Sequence, residues 1–238
     1  GEAAEGATVR LLATAAEGYE FRGWTIEGVE IGDLLANPLE FTMPANEVKV
    51  NAEFAEPVDV LSKIPDEVFK AYVRARMSNS ENITNPRTQQ TETSPAWDLN
   101  SDGILSDTEA ARVRFIVLDG GYTSPPDGFG ESEYKGALIE QLTGIEYFTG
   151  LKVLDLGARS TTNPYVEGYT TIDLSKLEKL VYLRIQDGNL YTLNFILGNK
   201  PELKTLDLAY SDIWGEETPV VDVTRCPKLT YIDLRGSY

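Results

Sequence analysis

Leu151-Lys152-Val153-Leu154-Asp155-Leu156 sets a pattern, leucine at i, i+3 and i+5, that returns further along the chain. Leu180-Leu183-Ile185, Leu203-Leu206-Leu208 and Leu229-Ile232-Leu234 repeat it at nearly regular intervals. Val113-Ile116-Leu118 reads as a fifth copy set further upstream, with residues 119–136, rich in Gly, Pro and Ser, as an insertion. Alternation at the end of each copy is the period of a strand with one buried face. A second apolar pair follows most copies: Ile172-Leu174, Leu193-Phe195 and Val221-Val223.

The steps from Leu151 to Leu180, Leu203 and Leu229 fall in the range of leucine-rich repeats, roughly 20–29 residues, whose units cannot bury their own apolar faces and must stack. The pattern therefore predicts a leucine-rich repeat solenoid over 113–238. The last copy runs to Tyr238 with no capping segment, so a fragment or an abrupt end is expected. Residues between the leucines then fall in two columns on the concave sheet. One holds Val117, Asp155, Arg184, Asp207 and Asp233; the other holds Phe115, Val153, Tyr182, Thr205 and Tyr231. Tyrosine and arginine are enriched at binding hot spots, so this face is the candidate for contact with a protein or glycan. The competing explanation is that exposed strand positions favour Tyr and Thr anyway.

Upstream of the repeats lies the segment with the most specific chemistry. Asp98-Leu99-Asn100-Ser101-Asp102-Gly103-Ile104-Leu105-Ser106-Asp107-Thr108-Glu109 has the length and spacing of an EF-hand loop. Asp98, Asn100, Asp102 and Glu109 stand at positions 1, 3, 5 and 12, and Gly103 at the sharp turn. Ile104 offers its carbonyl at position 7, and Ser106 stands at position 9. Calcium wants six to eight oxygens, and this set supplies them. The expected site is structural, with a Kd on the order of 10⁻⁴–10⁻³ M. Ser106-x-x-Glu109 is also a capping box for a helix over 106–112, which gives the same residues a metal-free role. The stretch after the linker reads as a helix, with Pro65 at its first position, Asp66 and Glu67 in its first turn and Val68, Phe69, Tyr72 and Val73 on one face. Residues 78–96 read as an exposed polar loop.

At the other end, residues 1–56 alternate apolar and polar side chains between glycines and prolines, predicting about four short strands. Gly6-x-x-Val9-x-Leu11, Gly18-Tyr19-x-Phe21-x-Gly23-Trp24 and Phe41-Thr42-Met43-Pro44-Ala45-x-x-Val48-x-Val50-x-Ala52-x-Phe54 carry a resemblance. The module resembles the divergent B-repeat of internalin-type bacterial surface proteins. Such repeats open with a further strand, which residues 1–5 are too short and polar to supply, so a trimmed start is expected. Ile64-Pro65-Asp66-Glu67-x-Phe69-x-x-Tyr72-Val73 and Leu142-Thr143-Gly144-Ile145-Glu146-Tyr147-Phe148-x-x-Leu151 resemble the cap and first repeats of secreted internalin-like proteins. That resemblance implies a helical cap with a calcium loop before the repeats, and a place outside the cell or on its surface. It weakens at Arg159, Gly188, Ser211 and Ser237, where such repeats carry asparagine.

The predicted architecture is thus α+β with repeats. A β-rich module (1–56) precedes a linker and helical EF-hand-like cap (57–112) and a leucine-rich repeat solenoid (113–238).

Composition narrows the chemistry. Among 238 residues, 21 Lys+Arg face 38 Asp+Glu, a net charge of −17. Such a chain is a poor ligand for nucleic acid or an anionic membrane, and suits cations, cationic partners or neutral glycans. Histidine is absent, which removes His-based triads and His-ligated metals. A single cysteine, Cys226, excludes an intrachain disulfide; it reads as a small buried apolar group. No apolar run approaches the ~18 residues of a membrane helix. No phosphate loop or nucleophile elbow is present, so the expectation is a non-catalytic binding protein. The alternatives are a calcium-stiffened surface spacer and, more remotely, a carbohydrate-active enzyme using a carboxylate pair such as Asp207 and Asp233.

Overall fold

The computed structural model describes residues 1–84, 90–117, 141–156, 171–185, 194–209 and 221–235. The chain divides into two compact units, Gly1–Val58 and Asp59–Tyr238.

The first unit holds four strands: β1 (Thr8–Leu11), β2 (Glu20–Glu27), β3 (Leu39–Thr42) and β4 (Lys49–Ala55). β1 pairs antiparallel with β3, and β2 with β4, in two separate two-stranded sheets. The β2–β4 register shifts between Phe21 and Gly23. Gly23, at φ +148, takes the conformation such an irregularity needs and L side chains avoid. Behind the shift, the Phe21 and Trp24 rings sit 5.1 Å apart. Leu39 and Phe41 are also buried, and the Trp24 indole N–H donates to Ala36 O at 2.8 Å. Tyr19, by contrast, is exposed.

The second unit begins with α1 (Glu67–Ser78). Asp66 is its N-cap, accepting the Phe69 amide at 2.8 Å, so Pro65 stands just outside the helix rather than at its first position. Phe69, Tyr72, Val73 and Met77 face the core. The polar stretch that follows is not the open loop expected: β5 (Glu81–Thr84) and β6 (Thr91–Ser94) form an antiparallel hairpin. Thr84, Thr91 and Thr93, β-branched and facing water, make this polar stretch compatible with a strand pair. Next come the 98–109 loop and the short helix α2 (Asp107–Ala110).

Five three-residue strands form a parallel sheet: β7 (Phe115–Val117), β8 (Val153–Asp155), β10 (Tyr182–Arg184), β12 (Thr205–Asp207) and β13 (Tyr231–Asp233). β9 (Thr171–Asp173) and β11 (Asn194–Ile196) make a separate parallel pair. Ile116, Leu154, Leu183 and Leu206 are fully buried on the core side of the sheet, joining Leu151, Leu156, Leu180, Leu203 and Leu208. Between strands the same turn recurs, with the Leu151, Leu180, Leu203 and Leu229 amides donating to Phe148, Leu177, Lys200 and Cys226 carbonyls.

This corrects the predicted fold class. Among the described residues the regular structure is mostly strand with two α-helices, built around a parallel sheet; it is neither a helical EF-hand cap nor a leucine-rich repeat solenoid. The leucine spacing reports a row of parallel strands with one buried face, and does not dictate how the chain returns between them. The expected helical EF-hand-like cap is not formed because strand β6 and Pro95, not a helix, lead into the loop. Proline disfavours a helical predecessor, and α2 stops after one turn, with β7 beginning at Phe115. Leu118, Leu193, Arg159, Gly188, Ser211, Ser237 and the 119–136 insertion lie outside the described residues.

Candidate functional site

The sheet register places the predicted columns side by side. Phe115, Val153, Tyr182, Thr205 and Tyr231 form one row across the sheet, and Val117, Asp155, Arg184, Asp207 and Asp233 the other. Most of this face is covered. Ile83 of the β5–β6 hairpin packs with Phe115, Val153 and Tyr182 into a second small apolar cluster. Asp155 is buried and accepts from Arg184 Nε at 2.7 Å, an ion pair inside the face. Thr205 and Asp207 are buried as well. Among the described residues of the two rows, the β13 end is the part that opens to solvent. There Tyr231 is 49% exposed and its hydroxyl donates to Asp233 Oδ2 at 3.1 Å. Arg235 clamps Asp233 with Nη2 2.6 Å from Oδ2 and holds that carboxyl well below the usual carboxylate range. The bond to Asp233 pushes the Tyr231 hydroxyl up.

The 98–109 loop is folded on its own backbone. Asp98 accepts the Gly103 amide at 2.9 Å, Asn100 the Asp102 amide at 3.0 Å, and Asp102 the Ile104 amide at 2.8 Å. Ser101 and Gly103 take positive φ, +59 and +85, which lets those three side chains turn inward. Ser106 and Glu109 form a complete capping box on α2. Glu109 does more than the sequence signals: its Oε1 also accepts the Leu99 amide at 2.7 Å, tying loop position 12 to position 2. Among the described residues no group of three or more Asp, Glu, His or Cys side chains is gathered closely enough to hold a metal ion. The donor chemistry suits a hard cation, yet the carboxylates here are engaged by loop amides. Loop and hairpin together border a cleft of about 240 Å³, with Leu99 and Glu109 on one wall and Glu92 to Trp97 on another.

Residues 1–57 match the divergent InlB B-repeat domain. The B-repeat match covers the first unit and points to a bacterial surface or extracellular module. No curated protein and no solved structure matches the chain. No described helix is long and apolar enough to cross a membrane.

Proposed function

We propose that this chain is a non-catalytic bacterial surface protein that contacts a protein or glycan, with a calcium ion stiffening the 98–109 loop. The B-repeat match over residues 1–57 carries the surface reading. The open β13 end, where Tyr231 stands exposed beside the Asp233–Arg235 clamp, supports a contact there. Asp98, Asn100, Asp102, Glu109, Ser106 and the Ile104 carbonyl would hold the ion. Their all-oxygen chemistry supports calcium over softer metals.

Coverage of Phe115, Val153 and Tyr182 by Ile83 favours a second reading, a structural spacer with little ligand contact. The two diverge on Tyr231→Ala/Arg235→Ala. A binding protein loses retention on a glycan and protein array without losing thermal stability; a spacer shows no retention in the parent either. For calcium, thermal unfolding is compared in excess calcium and in EDTA. Calcium at ~100 times its Kd adds about 2.7 kcal/mol, and Asp98→Ala/Asp102→Ala abolishes the rise. Equal midpoints at millimolar calcium in the parent would remove the metal from the reading.

A further inference from the structure

A ladder of backbone bonds fixes which residue stands at the start of each strand of the five-stranded sheet. The Lys152 amide donates to the Arg114 carbonyl at 2.9 Å, Val181 to Lys152 at 2.8 Å, Lys204 to Val181 at 2.9 Å and Thr230 to Lys204 at 3.0 Å. These five residues therefore stand in single file along one rim, and all but the half-buried Val181 are exposed. Lys179 and Lys228, also exposed, lie two residues before Val181 and Thr230. The corresponding place before Lys204 is held by Glu202, which Lys228 already engages at 2.6 Å. Aspartates stand at the other end of the strands instead, at Asp155, Asp207 and Asp233. Among the described residues none of Arg114, Lys152 and Lys204 makes an ion pair. Arg114 and Lys152 are cross-strand neighbours, and like charges so placed cost stability. In a chain with 38 acidic residues, this cationic row is left without its counter-charge.

We propose that this rim binds a linear acidic polysaccharide, a reading that rests on the glycan half of the function proposed above and gives that glycan its charge. The whole-chain charge of −17 argues for a neutral sugar, but salt screens exposed charges beyond about 8 Å at physiological ionic strength. A ligand in contact with the rim therefore meets the row itself. Neighbouring strands lie roughly 4.8 Å apart, which sets Arg114 one spacing from Lys152 and Lys204 two spacings beyond it. One small anion cannot bridge that line, whereas a chain with acid groups at intervals reaches all three. Lysine is a point charge on a flexible stem, so the row accepts carboxylate or sulfate without demanding one fixed geometry. The B-repeat match, which points outside the cell, supports a polysaccharide over a nucleic acid.

The test is calorimetric titration of the full chain with a heparin dodecasaccharide at low and at high salt. Dextran is the neutral arm, and a single-stranded oligonucleotide of equal charge is the nucleic-acid arm. Heparin saturates at low salt and weakens as salt rises, and dextran does not bind. Lys152→Glu/Lys204→Glu weakens heparin about tenfold or more, the scale of one lost contact between charged groups. Lys152→Gln/Lys204→Gln, which keeps much of the stems, moves affinity the same way. Both variants hold the thermal midpoint, since the side chains are exposed. Lys49→Glu/Lys63→Glu makes the same change in net charge off the row and leaves heparin affinity as it was. No saturation at low salt, unchanged affinity in Lys152→Glu/Lys204→Glu, an equal loss in Lys49→Glu/Lys63→Glu, or tighter binding of the oligonucleotide each overturns the proposal. Array retention that needs Tyr231 and Arg235 but not Lys152 and Lys204 keeps the function proposed above and removes this rim; the converse keeps the rim and removes the β13 contact.

Discussion

The two units solve the burial problem to different degrees. In the second, one continuous core runs from α1 through Trp97 and Leu105 to Ile116, Leu154, Leu183 and Leu206 behind every strand of the parallel sheet but the last. In the first, Trp24, Leu39 and Phe41 are buried while Leu12, Tyr19, Leu34, Val50 and Phe54 stay exposed. So short a unit buries a smaller share of its surface on folding than a longer one does, and has little stability to lose. Strand pattern alone does not distinguish the two; the depth of the core behind the strands does.

That contrast breaks most visibly at Leu183. Leu183→Ala removes a fully buried side chain at the middle of the sheet and should cost about 2–5 kcal/mol. Leu12→Ala, at 67% exposure, should change stability by less than about 0.5 kcal/mol. Denaturant unfolding of both variants decides, and comparable losses would erase the distinction. Next in size is Gly150→Ala. Its added Cβ would lie 2.1 Å from the Ala111 carbonyl oxygen, a backbone atom that cannot step aside. The expected cost is about 1–3 kcal/mol, with hydrogen exchange rising around α2 and not in the first unit.

A subtler probe is Lys200, fully buried, with its ammonium donating to the Leu174 carbonyl at 2.8 Å and to those of Leu197 and Asn199. Burial pushes it down to about 8, against smaller opposing effects of Cys226, Glu178 and Asp173. The unfolded chain keeps that proton to about pH 10.4. Between those values the unfolded state binds more protons, so stability rises with pH relative to Lys200→Met. Paired unfolding curves at either end of the window test the sign, and a parent that loses ground to Lys200→Met as pH rises contradicts it. Smaller still, Asp66→Ala removes the cap of α1 and should cost about 1 kcal/mol, read as a lower denaturation midpoint. The surface pair Arg10–Glu40, 3.4 Å apart and exposed on both sides, should contribute under about 0.5 kcal/mol in a double-mutant cycle.

The parallel strands were legible because Leu154, Leu183 and Leu206 each stand three residues after another leucine, a spacing that survives any connection between them. The leucine spacing alone does not specify a solenoid, and that expectation gave way to a strand-rich chain built around a parallel sheet. Covering of Phe115, Val153 and Tyr182 was hidden for a different reason: one isoleucine, Ile83, packs on them from a stretch otherwise polar enough to read as a loop. Of the 98–109 loop, the Ser106–Glu109 capping box was legible from its spacing. The reach of Glu109 back to the Leu99 amide escaped, since no spacing rule encodes a carboxylate meeting the start of its own loop.

Lys200 has one more consequence. In the recurring turn its place is held elsewhere by Phe148, Leu177 and Cys226, none of which carries a positive charge. An ammonium fits only where the Leu174, Leu197 and Asn199 carbonyls converge on it. If a strand slipped by one turn during folding, that charge would be stranded in hydrocarbon, while a leucine in its place would slip unnoticed. The lysine thus works as a serial number within a nearly periodic chain, marking which turn belongs next to which.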